Sequence, residues 1–375
     1  MPPLRARTAA VVRALLACAS LASIPSCGGA SHPPMAVDRS DAGGGDAQAP
    51  GDAADAIDAI DVIDAIDDAG PNPIAWTHLA NVDRASLPWI GLYRGAAFGL
   101  GLAGAYSVRL SDGAVTPVTL VGSPGAESHD EGAFCIDHDV AYQLGGGGNG
   151  IFGDWNVTQY DAIDLAASAW KAPSAAPAIR HHDAAVSVGT GCAMIGGDAS
   201  QHGDVGTTTV FVSDATAGSW TSYAPLPIAL TSTAAAFDGK RLTVAGGMCH
   251  GAACPLSSGT TDYVSAQTLS LDLTDTATGW ARGPDLPYPV HQASAVWHAG
   301  RYYVAGGYEN DQPPYTSHRA VVSWAPGDAS ARVEGRLPGG ATTCVLLSDG
   351  TRIYAAVAGA SSTGSLALDL YAWAP

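Results

Sequence analysis

Arg180-His181-His182-Asp183 is the densest run of acid–base side chains in the sequence. His129-Asp130-Glu131 and His291 carry the same residue types. General acid–base work needs such groups to face one another across a pocket, and Arg180, His182, Glu131 and His291 could fill those roles. A second polar set comprises Asn149, Asp154, Asp198, His202, His250, Glu309, Asn310 and Asp311. No motif among these residues designates an acid, a base or a nucleophile. The glycine runs open no Lys-Ser/Thr helix, so they cradle no phosphate. A Gly-x-Ser-x-Gly elbow is absent. The sequon Asn156-Val157-Thr158 is read as incidental.

The elements that must carry these side chains are set by an internal repeat. Leu144-Gly145-Gly146, Ile195-Gly196-Gly197, Ala245-Gly246-Gly247 and Ala305-Gly306-Gly307 each end an apolar run, and their first glycines are 51, 50 and 60 residues apart. Trp170, Trp220 and Trp280 each precede the next first glycine by 26 residues. Two marks at one fixed offset define a repeating unit. From Trp280 the unit runs through Leu286-Pro287, an inner strand begun by His291, a turn at Gly300-Arg301, and a strand Tyr302–Ala305 closed by the glycine pair. A loop with Pro313 and Pro314 and a third strand, Arg319–Trp324, complete it. Short strands at even spacing with Gly and Pro between them indicate an all-β propeller or sandwich. The double glycine is expected where innermost strands crowd a central channel.

The glycine pair, the Trp about six residues before a Leu-Pro, and the following His-x-Ala-x-Ala resemble the kelch repeat. The resemblance covers Trp76 to the C-terminus. With degenerate units at Leu100–Gly104 and Ala356–Gly359 it implies a six-bladed β-propeller over residues 73–375. The last unit has room for three strands only, so Ala75-Trp76-Thr77 is expected to supply its fourth and close the ring. In kelch-like propellers the loops leading into the inner strand and those leaving the glycine pair open on one face. Ligand-binding candidates on that face are His129, Glu131, Arg180, His181, His182, His291, Glu309 and Asp311. A His at the head of the inner strand is also part of the repeat consensus, where it makes turn hydrogen bonds; His129, His182 and His291 carry that structural reading too.

The N-terminus reads as an address and a tether. Arg5, Arg7 and Arg13 precede an apolar run, Ala14–Ile24, too short to remain as a spanning helix, so residues 1–26 read as a secretory signal. The following Ile24-Pro25-Ser26-Cys27 resembles a bacterial lipobox, which implies lipidation at Cys27, with Leu15-Leu16-Ala17-Cys18 as the alternative. Residues 27–72 hold an Asp every third position from Asp52 to Asp67. That period suits neither helix nor strand, and the self-repelling charge favours an extended, disordered linker. Membrane attachment is therefore expected through the lipid alone, and the outer membrane or cell surface is the expected location.

Export permits disulfides. Cys249 and Cys254 flank His250-Gly251-Ala252-Ala253 and are expected to pair, contributing about 2 kcal/mol. A metal site built on Cys249, His250 and Cys254 lacks a second ligand pair, so no metal and no cofactor are expected. Cys135, Cys192 and Cys344 are expected as small buried hydrophobes.

About half of the formal charge of −18 belongs to the linker, where ten aspartates lie between Asp38 and Asp68 with Arg39 as the one basic residue. Clustered Lys and Arg are absent, which argues against nucleic acid. The expected function is non-catalytic binding of a glycan, a peptide or a protein partner at the loop face, by a monomer. Two alternatives follow from resemblance: an enzyme similar to the six-bladed sialic acid mutarotases, and a copper radical oxidase similar to galactose oxidase. For the latter Tyr93, Tyr303 and Tyr308 are available, but no loop holds two Tyr and two His around a copper.

Overall fold

The computed structural model describes residues 74–83, 85–101, 104–125, 129, 132–146, 157–199, 206–214, 218–250, 254, 263–310, 315–359 and 367–375. The signal, the tether and Cys27 lie outside these residues, as do Asp130, Glu131, Asn149, Asp154, His202 and Asp311.

Six antiparallel sheets follow one another along the chain. Blade 1 is Ala85–Tyr93, Ala96–Gly101, Gly104–Arg109 and Val115–Val118; blade 2 is Ala133–Asp137, Val140–Leu144 and Gln159–Asp164, with Ala169–Trp170 and Ser174–Ala175 sharing the outer position. Blade 3 is Ala184–Ser187, Cys192–Ile195, Val210–Ser213 and Trp220–Ser222. Blade 4 is Ala234–Phe237, Arg241–Ala245, Thr268–Asp272 and Trp280–Arg282, with an added hairpin, Met248–Cys249 against Tyr263–Val264. Blade 5 is Ser294–His298, Arg301–Ala305, Ala320–Trp324 and Arg332–Arg336. Blade 6 is Cys344–Ser348, Ile353–Gly359 and Ala367–Trp373, completed by the N-terminal strand Thr77–Asp83. The molecule is an all-β, six-bladed propeller.

The N-terminal strand closes the ring as the sequence predicts, running antiparallel to the last strand from Thr77↔Ala372 to Asp83↔Ala367. Trp76 shows why it belongs there. Its indole N–H donates to Arg336 O of blade 5 at 2.8 Å, as Trp280 of blade 4 donates to Ala224 O beside blade 3 at 2.9 Å. Each repeated tryptophan leans back on the preceding blade. Trp170 packs with Phe98 and Leu100 of blade 1, Trp220 with Tyr160 of blade 2, and Trp280 with the core of blade 3. The periodic Trp is therefore an inter-blade wedge that packs a large apolar ring against the neighbouring blade; the N–H of Trp280 finds a carbonyl, whereas that of Trp220 has no hydrogen-bond partner among the described residues.

Second strands such as Val140–Leu144 and Cys192–Ile195 are buried at every position. Neighbouring blades cover both faces, so these strands read as largely apolar runs, broken in Val140–Leu144 by the buried Gln143, instead of alternating ones.

The structure changes the explanation of the double glycines. They end the second strand of blades 2 to 5, not the innermost one. Both members take positive φ (61° and 96° at Gly145 and Gly146, 65° and 100° at Gly246 and Gly247), a conformation open to Gly at little cost. The chain thereby curls against the loop leading into the next blade. The second glycine donates its N–H to that loop's carbonyl: Gly146 to Arg180 O at 2.7 Å, Gly197 to Leu230 O at 2.9 Å, Gly247 to Val290 O and Gly307 to Thr342 O at 2.8 Å. The degenerate repeats lack this joint. In blade 6 the strand Ile353–Gly359 pairs without interruption, and in blade 1 Gly101 pairs directly with Gly104 in a tight hairpin.

Two of the cysteines also depart from expectation, while Cys249, Cys254 and Cys344 take the places the sequence predicts. Cys135, on the inner strand of blade 2, is disulfide-bonded to Cys192, on the second strand of blade 3, with the Cα atoms 6.2 Å apart. They are a covalent joint between blades and not two isolated hydrophobes; the inner strand of one blade faces the sheet of the next, which brings residues 57 apart together. Cys249 and Cys254 form the second bridge (Cα–Cα 5.4 Å), and Cys344 is a buried free thiol.

Candidate functional site

The loops leading into blades 3, 4 and 5 share one backbone design. His182, Ser232 and Gln292 occupy equivalent positions and all adopt left-handed φ, 52°, 52° and 54°. Their backbones join in sequence: Ser232 N–H donates to His182 O at 2.7 Å, and Gln292 N–H donates to Ser232 O at 2.8 Å. Left-handed φ is uncommon for residues other than Gly, and here it turns three successive loops into one continuous rim. The loops that leave the glycine pairs stack on it through paired backbone bonds, His181 with Asp198, Thr231 with Met248 and His291 with Tyr308.

This rim collects much of the sequence-predicted set. Arg180, His181 and His182 belong to the loop before blade 3. Nδ1 of His181 and Nδ1 of His182 are 3.2 Å apart, so one ring donates and the other accepts. The Arg180 guanidinium turns to Ile179 O and to Thr209 Oγ1. Its burial holds the guanidinium below its ordinary range, which the nearby Asp183 and Asp198 carboxylates counter.

His291, 3% exposed, has a defined tautomer. Nε2 is 3.3 Å from Asn310 O, and a carbonyl only accepts, so Nε2 carries the proton and Nδ1 is left with its lone pair. Burial lowers the His291 pKa; the Asn310 bond opposes this, and the charges of His182 and His250 add to the lowering. Imidazoles from the loops of blades 3, 4 and 5 thus lie within electrostatic reach of one another. His250 reaches Thr231 Oγ1 at 2.9 Å.

Blade 5 adds an aromatic flank. Tyr308 neighbours His291 (ring centroids 5.9 Å) and Tyr315 (5.7 Å). Glu309 lies 3.4 Å from Nε2 of His318, a ring stacked on Tyr288 at 3.7 Å. Tyr308, Tyr315 and His318 were not singled out as a group by sequence reasoning. The Tyr308-Glu309-Asn310 run directly after a glycine pair was the available signal.

His129 has a different place. It is 4% exposed, its Nδ1–H donates to Gly145 O at 2.8 Å, and Nε2 lies 3.5 Å from the buried Asp161. Both ring nitrogens are engaged within blade 2, the structural role that the repeat consensus implies. Glu131 and Asp311 lie outside the described residues.

Several buried polar atoms of the rim have no hydrogen-bond partner among the described residues: Arg180 Nε, both carboxyl oxygens of Asp183, Ser232 Oγ, His291 Nδ1 and Tyr315 OH. Such atoms cost about 1–3 kcal/mol each and are few in native proteins. Among the described residues no cluster of His, Cys, Asp and Glu is arranged to hold a metal ion.

No family model matches the sequence, and no curated protein matches it. Solved structures do: 535 chains match, so the likeness concerns a widely shared architecture. One is YjhT, which aligns over 80% of this chain and 95% of its own length with a TM-score of 0.58. The two sequences are 15% identical, and the likeness is one of fold.

Proposed function

We propose that this chain is an exported, envelope-tethered propeller of kelch type that binds a polar ligand, a glycan in the first instance, at the rim of blades 3 to 5. The observation that carries the reading is the joined set of left-handed residues His182, Ser232 and Gln292, whose loops also carry imidazoles and buried polar atoms without partners among the described residues. Convergent polar groups at a concave site are the usual mark of a small-molecule pocket. The fold does not decide between ligands, since one propeller architecture serves many functions. Two disulfides in one domain support maturation in an oxidising compartment, in keeping with a signal at residues 1–26 and lipidation at Cys27.

The test is a glycan-array and sugar-panel screen with the exported protein, metal-free and then copper-loaded. Specific binding lost in His182→Ala supports the rim. Silence in both conditions rejects the glycan reading and directs attention to protein partners by crosslinking on intact cells. Binding that appears only with copper would point to oxidase chemistry instead. Lipid labelling that survives Cys27→Ala would reject the anchor.

A second reading, proton transfer at a bound sugar resembling mutarotation, is favoured by one feature. His291 is a neutral imidazole whose Nδ1 lone pair no residue of the described set engages. Acceleration of anomer exchange for a bound sugar, abolished in His291→Gln, would establish it.

A further inference from the structure

We propose that the Cys249–Cys254 disulfide is a positioning device of the binding rim: it fixes His250 against Thr231, so that His250 takes its place on the rim only once the disulfide has formed. The inference rests on the reading of the rim as a binding site.

His250 follows Cys249 directly and lies inside the covalent ring that Cys254 closes. The first cysteine is held by strand pairing, Cys249↔Tyr263 beside Met248↔Val264. Met248 is tied to the rim, exchanging N–H···O bonds with Thr231 at 2.8 Å in both directions. Thr231 in turn meets Nε2 of His250 at 2.9 Å. The imidazole is therefore held at both ends, by a covalent ring at its backbone and by a hydroxyl at its tip. Cys249 and Cys254 are 1% and 3% exposed, so the bridge is built into the packing of blades 3 and 4 and not displayed at the surface. A five-residue closure restricts the unfolded chain less than a long one does, which makes local positioning its larger consequence.

Formation needs a protein disulfide oxidant, as oxidising compartments supply. The Cys249 thiolate attacks the oxidant's disulfide and expels one of its sulfurs as thiolate. The Cys254 thiolate then attacks Cys249 in the mixed disulfide and releases the oxidant as a dithiol. One S–S bond is made and one broken; two electrons pass to the oxidant, whose two sulfurs end as thiols, taking up the protons the cysteines gave up. Before this step the chain folds its blades but leaves His250 unpinned.

The experiment uses the full exported chain in four forms: wild type, Cys249→Ser/Cys254→Ser, His250→Ala and Thr231→Val. The first readout is the titration of His291, followed by NMR of its ring protons, and needs no ligand. Pinned beside Thr231, His250 is one of the groups that lower the His291 pKa, so all three variants are expected to raise the His291 titration midpoint above that of wild type. The second readout is affinity for the sugar identified by the panel, expected to fall at least about tenfold in the double-serine variant and in His250→Ala alike. A double-serine variant that titrates and binds as wild type does, while His250→Ala does not, overturns the proposal. So does a His291 midpoint unmoved in every variant. If no sugar binds wild type, the glycan reading fails, while the titration still decides whether the disulfide positions His250. Should the double-serine chain not fold, wild type reduced by a dithiol after folding, with thiol trapping to confirm which bridge has opened, replaces it under the same criteria.

Discussion

The carboxyl group of Asp183, leading into blade 3, packs so closely on Gly145 at the end of blade 2 that a side chain on the glycine would collide with it. A Cβ at Gly145 would also lie 2.6 Å from Arg180 O, at a φ of +61°. Gly145→Ala is therefore expected to destabilise the propeller by well over the 1–2 kcal/mol that left-handed backbone alone costs a residue with a side chain. Gly300, in the hairpin turn of blade 5, shares positive φ but would meet nothing within 4 Å. Gly300→Ala should cost about 1–2 kcal/mol only. Equal melting temperatures for the two variants would contradict the inter-blade joint.

Asp183 itself is held well above the ordinary carboxylate range by burial, only partly offset by the charge of Arg180. A carboxyl raised in the folded state favours folding below its unfolded value and loses that contribution as pH rises through the folded one. At neutral pH the residue thus works against stability. Asp183→Asn should melt higher than wild type at pH 7, by about 2 °C for each kcal/mol recovered, and the gap should close towards pH 4. A variant that melts lower at pH 7 would show that the carboxylate has a partner in the folded protein.

The inter-blade bridge closes a loop of 57 residues between Cys135 and Cys192. Chain entropy assigns it about 4 kcal/mol. Cys135→Ser/Cys192→Ser should lower the denaturant midpoint substantially, and more than Cys249→Ser/Cys254→Ser does. The opposite ranking would place the stabilising role on the short bridge.

The lowered pKa of His291 gives stability that is present above its unfolded value and lost as pH falls through the folded one. Between pH 7 and 5 the melting temperature of wild type should fall more steeply than that of His291→Gln, whose amide can still donate to Asn310 O. Parallel profiles would mean that the ring is solvated.

Blade count, strand order and ring closure were legible in the sequence because each rests on local spacing. Trp170, Trp220 and Trp280 at one offset from paired glycines require a repeated unit, and Trp76 before an unpartnered strand announces the closing partner. The candidate site was legible only in outline. His129 and His291 look alike in sequence, yet one ring is spent on Gly145 O and Asp161 within its own blade while the other keeps a buried Nδ1 without a partner among the described residues. Cys135 and Cys192 gave no sign of each other, because their separation is larger than any local pattern and their approach depends on blade-to-blade packing. The same holds for the glycine pairs, whose partners are carbonyls of the following blade. Local propensity and periodicity act along the chain, and the sequence alone determined the units and their number. Which side chains face one another across blades depends on backbone φ at residues such as His182 and Ser232 and on contacts between residues far apart in the chain, such as Gly146 with Arg180, and only the tertiary structure decided it.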